Sequence, residues 1–247
     1  MTRPTNYLTE EEIHALKTVS AASLTTALFN RESGPPISGA SVRCGPISGS
    51  SAMPTPCAIS RCGEDLGGDT TFDNTTNPQR VTVEDVGPGD VLVIDARGEV
   101  GAGVLGDILI TRMQQRGAAG IVTDGAFRDT PAIREIDLPT YSRSSAPYMS
   151  SIIHHPVETN TPIGCGGAAI IPGDVIVGDG EGVVVLPRAM AGEIAREAYE
   201  KEQYEDWALS VSSQARRSST STRPVTKHTL NISARSQVSH CPTTQSE

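Results

Sequence analysis

The chain has 247 residues and a net charge of -9 at pH 7, a length that suits one domain with a sizeable core. This acidic balance, with no basic stretch interleaved with aromatic residues, argues against a nucleic-acid groove, which needs cations to neutralise phosphates. No apolar run approaches the roughly 20 residues of a membrane span, and residues 1–12 are polar where a signal peptide would be apolar, so we expect a cytoplasmic protein without membrane or nucleic-acid partners.

Residues 9–30 are predicted to form helix in two pieces. Thr9 can cap the first piece, Glu12 completes a capping box, and Ile13 and later leucines recur at helical spacing. Residues 31–62 are rich in Gly, Pro, Ser and Cys and show neither helical nor strand periodicity, so they stay unassigned.

A turn followed by a strand occurs twice in the chain. A short element, Val81–Val86, leads into the first copy, Pro88–Asp95, and the second copy is Pro172–Asp179. Each copy begins Pro-Gly-Asp-Val, in which Pro and Gly favour a turn and the apolar, β-branched run that follows favours a buried strand. We therefore assign no chemistry to Asp90 or Asp174.

Between the two copies, strands, loops and helices alternate as in the βαβ units of an α/β fold. This alternation places the loops after the strand carboxyl ends along one edge of the sheet. The predicted order after the strand Val91–Asp95 is a glycine-rich loop Gly98–Gly106, a helix Asp107–Arg116, a strand Gly120–Asp124, a loop Gly125–Thr130 and a helix near Pro131–Ile136.

The last predicted elements are a short strand, Val183–Leu186, and an amphipathic helix from Ala189 to about Leu209. Residues 211–247 then change composition, with five Lys or Arg, one acid and fifteen Ser or Thr. Such a segment cannot bury enough apolar surface to order itself. We therefore predict one α/β domain over residues 1–210 and a disordered basic tail over residues 211–247.

Several residue types that commonly form catalytic or metal sites are poorly placed. Lys17, Lys201 and Lys227 are the only lysines, which argues against Schiff-base chemistry, pyridoxal phosphate and a P-loop, since each needs an amine in the core. The five cysteines include no CxxC pair, so reduced thiols are favoured over a zinc or iron-sulfur site. His154 and His155 are adjacent, and on an extended chain they would point to opposite faces, which favours structural roles over metal binding.

Two loops at the predicted sheet edge suit a small anion and a metal ion. The first, Gly101–Gly106, runs directly into the helix that starts at Asp107, so backbone N–H groups and the helix dipole can receive an anion. In the second loop, Arg128 can hold a carboxylate through two hydrogen bonds, and Asp129 can hold a hard cation. The segment Gly125–Asp129 is therefore the candidate site for a 2-keto acid and a divalent metal.

Other interpretations of the same residues stay open. Arg128 and Asp129 can form an incidental surface ion pair, and Asp107 can serve only as a helix-cap residue. The spacing Gly101-x-Gly103-x-x-Gly106 also occurs in dinucleotide sites, for which Asp124 at the end of the next strand is the candidate ribose acid. That spacing is a weak signal, because several polar residues separate it from the preceding strand.

The most specific motifs are Gly-Asp-Ile-Leu at Gly106–Leu109 and Asp-Gly-Ala-Phe-Arg-Asp at Asp124–Asp129. Together with Gly164–Gly167 and the second Pro-Gly-Asp-Val unit, they make the chain resemble the RraA-like proteins, which include 4-hydroxy-4-methyl-2-oxoglutarate aldolases with oxaloacetate decarboxylase activity. The resemblance covers residues 81–209, with a helical match near residues 13–30. It implies an α/β fold, a compact swivelling β/β/α domain with N- and C-terminal helices, assembled as a homotrimer.

The resemblance also implies roles for individual residues. Arg128 would bind the pyruvyl end of the substrate, and Asp129 would ligate Mg²⁺ or Mn²⁺, which keeps much of its water shell. Asp107 would orient or deprotonate a water, and either Glu202 or Glu205 of a neighbouring subunit would complete the site. The substrate pocket would be lined by Gly106, Asp107, Ile108 and Leu109.

The implied reaction is retro-aldol cleavage of a 4-hydroxy-2-keto acid, which releases pyruvate, or decarboxylation of oxaloacetate, which needs the same enolate. A non-catalytic alternative is a protein-binding regulator, because members of the family inhibit a ribonuclease. Related sequences also carry a menaquinone methyltransferase label, but no strand, glycine loop and acidic strand end suited to a methyl donor is present here. Residues 31–62 and 211–247 depart from the family pattern, either by lineage-specific divergence or through an error in the gene model.

Overall fold

The computed structural model describes residues 8–31, 42–44, 50–61 and 75–218. Its helices are α1 Glu10–Thr18, α2 Ala21–Phe29, α3 Pro78–Asp85, α4 Asp107–Gln115, α5 Thr130–Ile133 and α6 Ala191–Ser218, with a 3₁₀ turn at Ser150–Ile152. Its strands are β1 Val42–Cys44, β2 Ser50–Arg61, β3 Asp90–Asp95, β4 Gly103–Leu105, β5 Gly120–Thr123, β6 Ala126–Phe127, β7 Thr140–Ser142, β8 Ser144–Ser145, β9 His154–Thr159, β10 Ile163–Cys165, β11 Ala168–Ile170, β12 Val175–Gly178 and β13 Val183–Leu186.

Among the described residues, eight strands form one mixed sheet in the order β1-β7-β5-β3-β2-β12-β13, with β9 also paired to β2. The central strands β2, β3, β5 and β7 are parallel to one another, whereas β1, β9, β12 and β13 join in antiparallel pairs. Helices follow β3 and β5 through the connections that lead to the next parallel strand. This arrangement confirms the predicted α/β class.

The central strand β2 lies inside the segment that the sequence left unassigned. Its residues pair in parallel with β3, from Met53 opposite Asp90 to Ala58 opposite Asp95. The prolines at positions 54 and 56 lack the N–H that a ladder uses, and proline is expected only at sheet edges or bulges. The two prolines therefore argued against a central strand, which is the position that β2 occupies.

Both faces of the main sheet are buried, and the alternation of side chains assigns them to different cores. In β3, Leu92 and Ile94 join the cluster under α3, α4 and α5, whereas Val91 and Val93 join a cluster on the opposite face with β10 and β11. Successive residues of a strand point to opposite faces, so a strand buried on both sides is apolar throughout. A third cluster packs α1, α2 and α6 on one face of β12 and β13.

The two Pro-Gly-Asp-Val turns have the same hydrogen bonds. Asp90 N–H donates to the carbonyl of Gly87 at 3.1 Å, and the Asp90 carboxylate accepts the N–H of Gly87 at 2.8 Å. Asp174 and Ile171 repeat both bonds at 3.0 and 2.8 Å. The structural interpretation of both aspartates is confirmed, because each carboxylate closes its own turn.

The predicted helical ends are confirmed in part. The N-terminal region forms two helices, and Thr9 and Glu12 make the expected capping box. The last helix, however, continues past Leu209 to Ser218, so residues 211–218 are helical and the expectation of disorder from residue 211 was wrong for them. Gln, Ala and Arg have high helix propensity and Ser an intermediate one, so residues 211–218 can extend the helix. Residues 219–247 lie outside the described residues.

The helices of the described ranges include none with both the length and the apolar character needed to cross a membrane.

Gly178, at the end of β12, is a sensitive position of the sheet. A Cβ there would lie 2.8 Å from the ring atoms of Tyr141, which is itself buried. We expect Gly178→Ala to lower the free energy of unfolding by about 1–3 kcal/mol, because added volume in a packed core forces neighbours to shift. Urea unfolding of the variant checks this expectation.

Gly164→Ala is the matched control, since a Cβ on Gly164 in β10 would meet no atom within 4 Å. Its unfolding free energy should stay level or rise slightly, as the unfolded chain loses entropy. Equal destabilisation by the two variants would contradict the packing argument.

Candidate functional site

The two loops that carry the candidate residues are joined by a second, three-stranded parallel sheet formed by β4, β6 and β8. Both loops were predicted to be without strands, yet each contributes a short one. β4 lies directly before α4, and β6 lies directly before Arg128, whose N–H donates to the carbonyl of Leu105 at 3.0 Å. The pairing of β4 with β6 therefore brings the start of α4 next to Arg128 and Asp129.

Two glycines allow this close approach. A Cβ on Gly103 would lie 2.5 Å from the backbone nitrogen of Arg128, a distance that real Cβ atoms do not show. A Cβ on Gly106 would lie 2.8 Å from Oδ2 of Asp129 and 3.3 Å from Cγ of Arg128. Two of the three glycines of the Gly101-x-Gly103-x-x-Gly106 spacing, Gly103 and Gly106, thus permit the contact between the two site loops.

Asp129 has a conformation that favours chemistry over capping. It precedes α5 with φ 58° and ψ 31°, the left-handed region that few non-glycine residues adopt. Its side chain makes no capping bond to α5, although Asp is among the preferred capping residues. Instead, Oδ2 accepts the Nε–H of Arg128 at 2.9 Å, and backbone strain of this kind often marks a functional position.

Arg128 is held by its backbone and by one side-chain nitrogen. Its side chain and that of Asp129 are each 39% exposed, whereas Phe127 before them is fully buried and anchors the segment in the core. Within the described residues, the two terminal nitrogens of Arg128 have no hydrogen-bond partner. The guanidinium can therefore still present donors to a carboxylate.

The predicted pocket residues occupy the first turn of α4. Gly106 precedes the helix and supplies no side-chain cap, and the Asp107 carboxylate accepts the N–H of Ile108 at 2.8 Å. Ile108 is 77% exposed, whereas Leu109 packs partly buried against the core under the helix. The side chains of Asp107 and Ile108 are thus available at the surface, and Leu109 offers mainly its backbone.

Asp124 does not fit the alternative role of a ribose acid. Its two carboxylate oxygens accept the N–H groups of Ala96 at 2.7 Å and Gly98 at 3.0 Å, in the loop after β3. A carboxylate bound in this way has little capacity left for two ribose hydroxyls. Sequence reasoning missed this role because spacing alone does not show which backbone a side chain reaches.

His154 and His155 lie on opposite faces of β9, as predicted. His154 is buried, and its Nε2 lies 3.2 Å from the carbonyl of Ala102, so this nitrogen carries the proton and donates. His155 is exposed. His154 therefore supports the glycine-rich loop before β4 and takes a structural role.

Cys165 is buried beside the carboxyl ends of β3 and β5. Burial raises the pKa of its thiol far above the ordinary value, and the nearby Asp124 adds to the rise. Because a thiolate is the form that attacks or ligates, the Cys165 thiol is inert under physiological conditions. This agrees with the expected structural role of the cysteines, although the side chains of the other four are outside the described residues.

The structure separates the two acids that the sequence could not rank. Glu202 accepts hydrogen bonds from the backbone N–H and the hydroxyl of Ser20, at the start of α2. Partial burial raises its pKa, but the bonds from Ser20 and Ser23 outweigh burial, so the pKa lies below its ordinary value. Glu205 is half exposed and makes only a loose 3.6 Å ion pair with Lys201. Glu202 is thus committed within its own chain, and Glu205 is not.

A cavity of about 460 Å³ lies elsewhere, between α1 and α6. Glu10, Glu11 and Glu200 line it, and the one arginine there, Arg196, is paired with Glu12. An anionic substrate would be repelled by these carboxylates. We therefore place the candidate site at Arg128 and Asp129, despite their more open position.

The site offers a carboxylate, that of Asp129, of the kind that hard divalent ions bind. The Asp129 carboxylate is not used for capping and faces the space that a side chain at position 106 would fill. Among the described residues, no group of three or more His, Cys, Asp or Glu could enclose a metal. An ion here would keep several waters, as magnesium commonly does.

The geometry is that of an α/β domain that presents a helix N-terminus beside an Arg-Asp pair. The sequence profile of the RraA-like family, described as Aldolase/RraA, matches residues 29–185. The chain belongs to this family.

Individual relatives bear names of enzymes. The chain is 30% identical over 113 residues, or 46% of its length, to a 4-hydroxy-4-methyl-2-oxoglutarate aldolase of Thermus thermophilus, 68% of which is covered. It is 38% identical over 115 residues, or 47% of its length, to a Halalkalibacterium halodurans protein provisionally named for the same activity. The chain spans about half the length of that relative, 54%.

Solved structures resemble most of the chain. Streptomyces coelicolor RraAS2, described as an unusual member of the RNase ES inhibitor RraA protein family, superposes with a TM-score of 0.71 and 30% identity, over 85% of this chain and 98% of RraAS2. An uncharacterized protein of Pseudomonas syringae pv. tomato superposes with a TM-score of 0.70, over 90% of this chain and 97% of that one. Its 22% identity supports the fold alone.

Gly106→Ala tests the contact between the two loops. The added Cβ would push against Oδ2 of Asp129, so we expect Mn²⁺ affinity to fall by about 10-fold or more, the scale seen when the groups that orient a metal ligand are disturbed. Mn²⁺ titration followed by electron paramagnetic resonance measures this. Gly164→Ala is again the control, and equal Mn²⁺ affinities of the two variants would contradict the assignment.

Proposed function

We propose that the protein is a divalent-metal-dependent lyase that cleaves a 4-hydroxy-2-keto acid to release pyruvate and also decarboxylates oxaloacetate. The observation that carries the proposal is the Arg128-Asp129 pair held against the start of α4. Relatives named for an aldolase activity support it. Cytoplasmic location and a homotrimeric assembly are parts of the same proposal.

Arg128 binds the carboxylate of the substrate. Its terminal nitrogens are the donors that a planar carboxylate can accept in pairs, and partial exposure leaves them accessible. The positive end of the α4 helix dipole, at Gly106 and Asp107, favours further negative charge there. The keto acid is thereby oriented with its carbonyl toward Asp129.

Asp129 would hold Mg²⁺ or Mn²⁺, and the ion would supply a Lewis acid for the substrate carbonyl. In the retro-aldol step the C3–C4 bond breaks, and its electron pair moves to C3 and the C2 oxygen while the C4 hydroxyl becomes a carbonyl. Asp107 accepts the hydroxyl proton, directly or through a water, and protonation of C3 completes pyruvate. In oxaloacetate, C4 is the departing carboxylate, so the same C3–C4 bond breaks, CO₂ leaves, and its electron pair again moves to C3 and the C2 oxygen.

A neighbouring subunit would shield the site from solvent. Arg128 and Asp129 stay open to solvent in one chain, and an aldol site works better when water is excluded. Apolar side chains are exposed on the segment that packs on the loop before β4: Tyr148, Met149 and Ile152. A second copy seated on this surface would cover the site, in keeping with the proposed homotrimer.

Metal removal and one substitution test the reaction. We expect pyruvate release from oxaloacetate to require Mg²⁺ or Mn²⁺, to stop with a chelator, and to fall by about 100-fold or more in Asp129→Ala, because the carbonyl loses its electrophile. A lactate dehydrogenase-coupled assay measures the rates. The control Glu135→Gln removes an exposed charge beyond the same loop and should leave the rate unchanged.

Undiminished turnover after chelation, or in Asp129→Ala, would refute metal-dependent cleavage. If pyruvate release depends on the metal as expected, a panel of 4-hydroxy-2-keto acids in the same assay defines the group at C4.

Glu202→Gln and Glu205→Gln separate a structural acid from one that completes the neighbouring site. The first should lower unfolding free energy by about 1–3 kcal/mol, since it weakens charge-assisted bonds at the start of α2. The second should leave unfolding unchanged and reduce turnover. Thermal melting and the coupled assay, run on both variants, check these two expectations. Full activity of Glu205→Gln would show that the Glu205 carboxylate is not part of the site.

A second candidate is a protein-binding regulator of ribonuclease activity, favoured by the 30% identity to RraAS2 across nearly all of that protein. It predicts that the wild-type chain slows RNA cleavage by a ribonuclease of that type. Ribonuclease inhibition without pyruvate release in the presence of Mn²⁺ would select this candidate.

A further inference from the structure

Asp124 connects the two segments that form the site. It directly follows β5 and stands four positions before Arg128, and its carboxylate accepts the N–H groups of Ala96 and Gly98 at 2.7 and 3.0 Å. That loop leads on to β4 and the start of α4. The Asp124 side chain thus links the beginnings of the two site loops, at a point that precedes β4 and β6 in the chain.

The loop held by Asp124 has a conformation that needs external support. Arg97 and Gly98 are consecutive residues with φ of 54° and 69°, in the left-handed region. Arg97 bears a steric cost there that glycine avoids. The Arg97 N–H donates to the Asp95 carboxylate at 2.8 Å, whereas the Gly98 N–H donates to the carboxylate of Asp124, the residue that follows β5.

The neighbouring glycine makes the junction tight. A Cβ on Gly125 would lie 2.5 Å from Cβ of Ala96 and 3.0 Å from the carbonyl oxygen of Glu99. The backbone of one site loop therefore lies against the backbone of the other where Asp124 bonds it. A shift at this point would be passed along β4 and β6, because the two strands pair at Gly103 and Ala126.

We infer that Asp124 is a positioning residue, a carboxylate clamp that keeps the start of α4 in register with Arg128 and Asp129. This inference rests on the proposed function for its kinetic consequence, whereas its structural part does not. Catalysis needs a base on one loop and substrate and metal groups on the other, so a small slip between them affects the transition state more than either binding step.

Asp174→Asn is the matched control for Asp124→Asn. The Asp174 carboxylate also accepts two backbone N–H groups, from Ile171 at 2.8 Å and Arg188 at 3.2 Å, but at the turn before β12. Each Asn keeps one acceptor and presents an amide N–H₂ to the second N–H, so both variants lose the same kind of bond. Their loss of thermal stability should therefore be similar.

The test compares both variants with the wild-type, Mn²⁺-loaded protein. We expect Asp124→Asn to lower kcat for oxaloacetate by about 10- to 100-fold with a smaller change in KM, as expected for misplacement of about 1 Å. We also expect faster amide exchange across residues 96–106. Asp174→Asn should keep kcat within about twofold and leave that exchange unchanged.

The outcomes separate the clamp from the proposed reaction. Unchanged amide exchange across residues 96–106 in Asp124→Asn, or an equal fall of kcat in the two variants, would overturn the clamp. A wild-type protein that releases no pyruvate would instead contradict the proposed function, and the exchange comparison would still decide for or against the clamp.

Discussion

The close contact between two backbone segments is the constraint on which the rest of the site depends. Gly103 lies so near the nitrogen of Arg128, and Gly106 so near the carboxylate of Asp129, that neither position has room for a Cβ. Only with these glycines can β4 and β6 pair in parallel directly before the start of α4 and the Arg-Asp pair. The start of α4, the Arg128 guanidinium and the Asp129 carboxylate then lie side by side, although they belong to loops that follow different strands.

The same contact holds the Arg-Asp pair in a conformation that the ion pair alone would not maintain. An exposed pair contributes little to stability, about 0–1 kcal/mol, and would not offset a left-handed aspartate. Asp129 nevertheless keeps that conformation because Phe127 fixes the segment in the core and α5 continues from it. The strained backbone thus presents a carboxylate that serves neither cap nor core, and the proposed divalent cation would bind there.

Sequence patterns predicted the parts of the fold whose causes are local. The capping box at Thr9 and Glu12, the strand Val183–Leu186 and the helix at Asp107 each follow from periodicity, capping or turn residues within a few positions. β2 was not predicted because its position depends on strands far along the chain. Its two prolines, taken locally, argue against a central strand. β4 and β6 escaped for a similar reason, since two or three residues become strands only when they meet.

Sequence reasoning could name candidate site residues, but it could not show which side chains hold the candidate loops in place. Arg128, Asp129 and Asp107 stand out by charge beside glycine, whereas the role of Asp124 depends on two backbone N–H groups that lie 26 and 28 positions earlier in the chain. The placement of Glu202 is similar, because its partner Ser20 is 182 positions away. Candidate substrate-binding side chains can be proposed from their own chemistry. Those that position them are defined by what they touch, and that requires the folded chain.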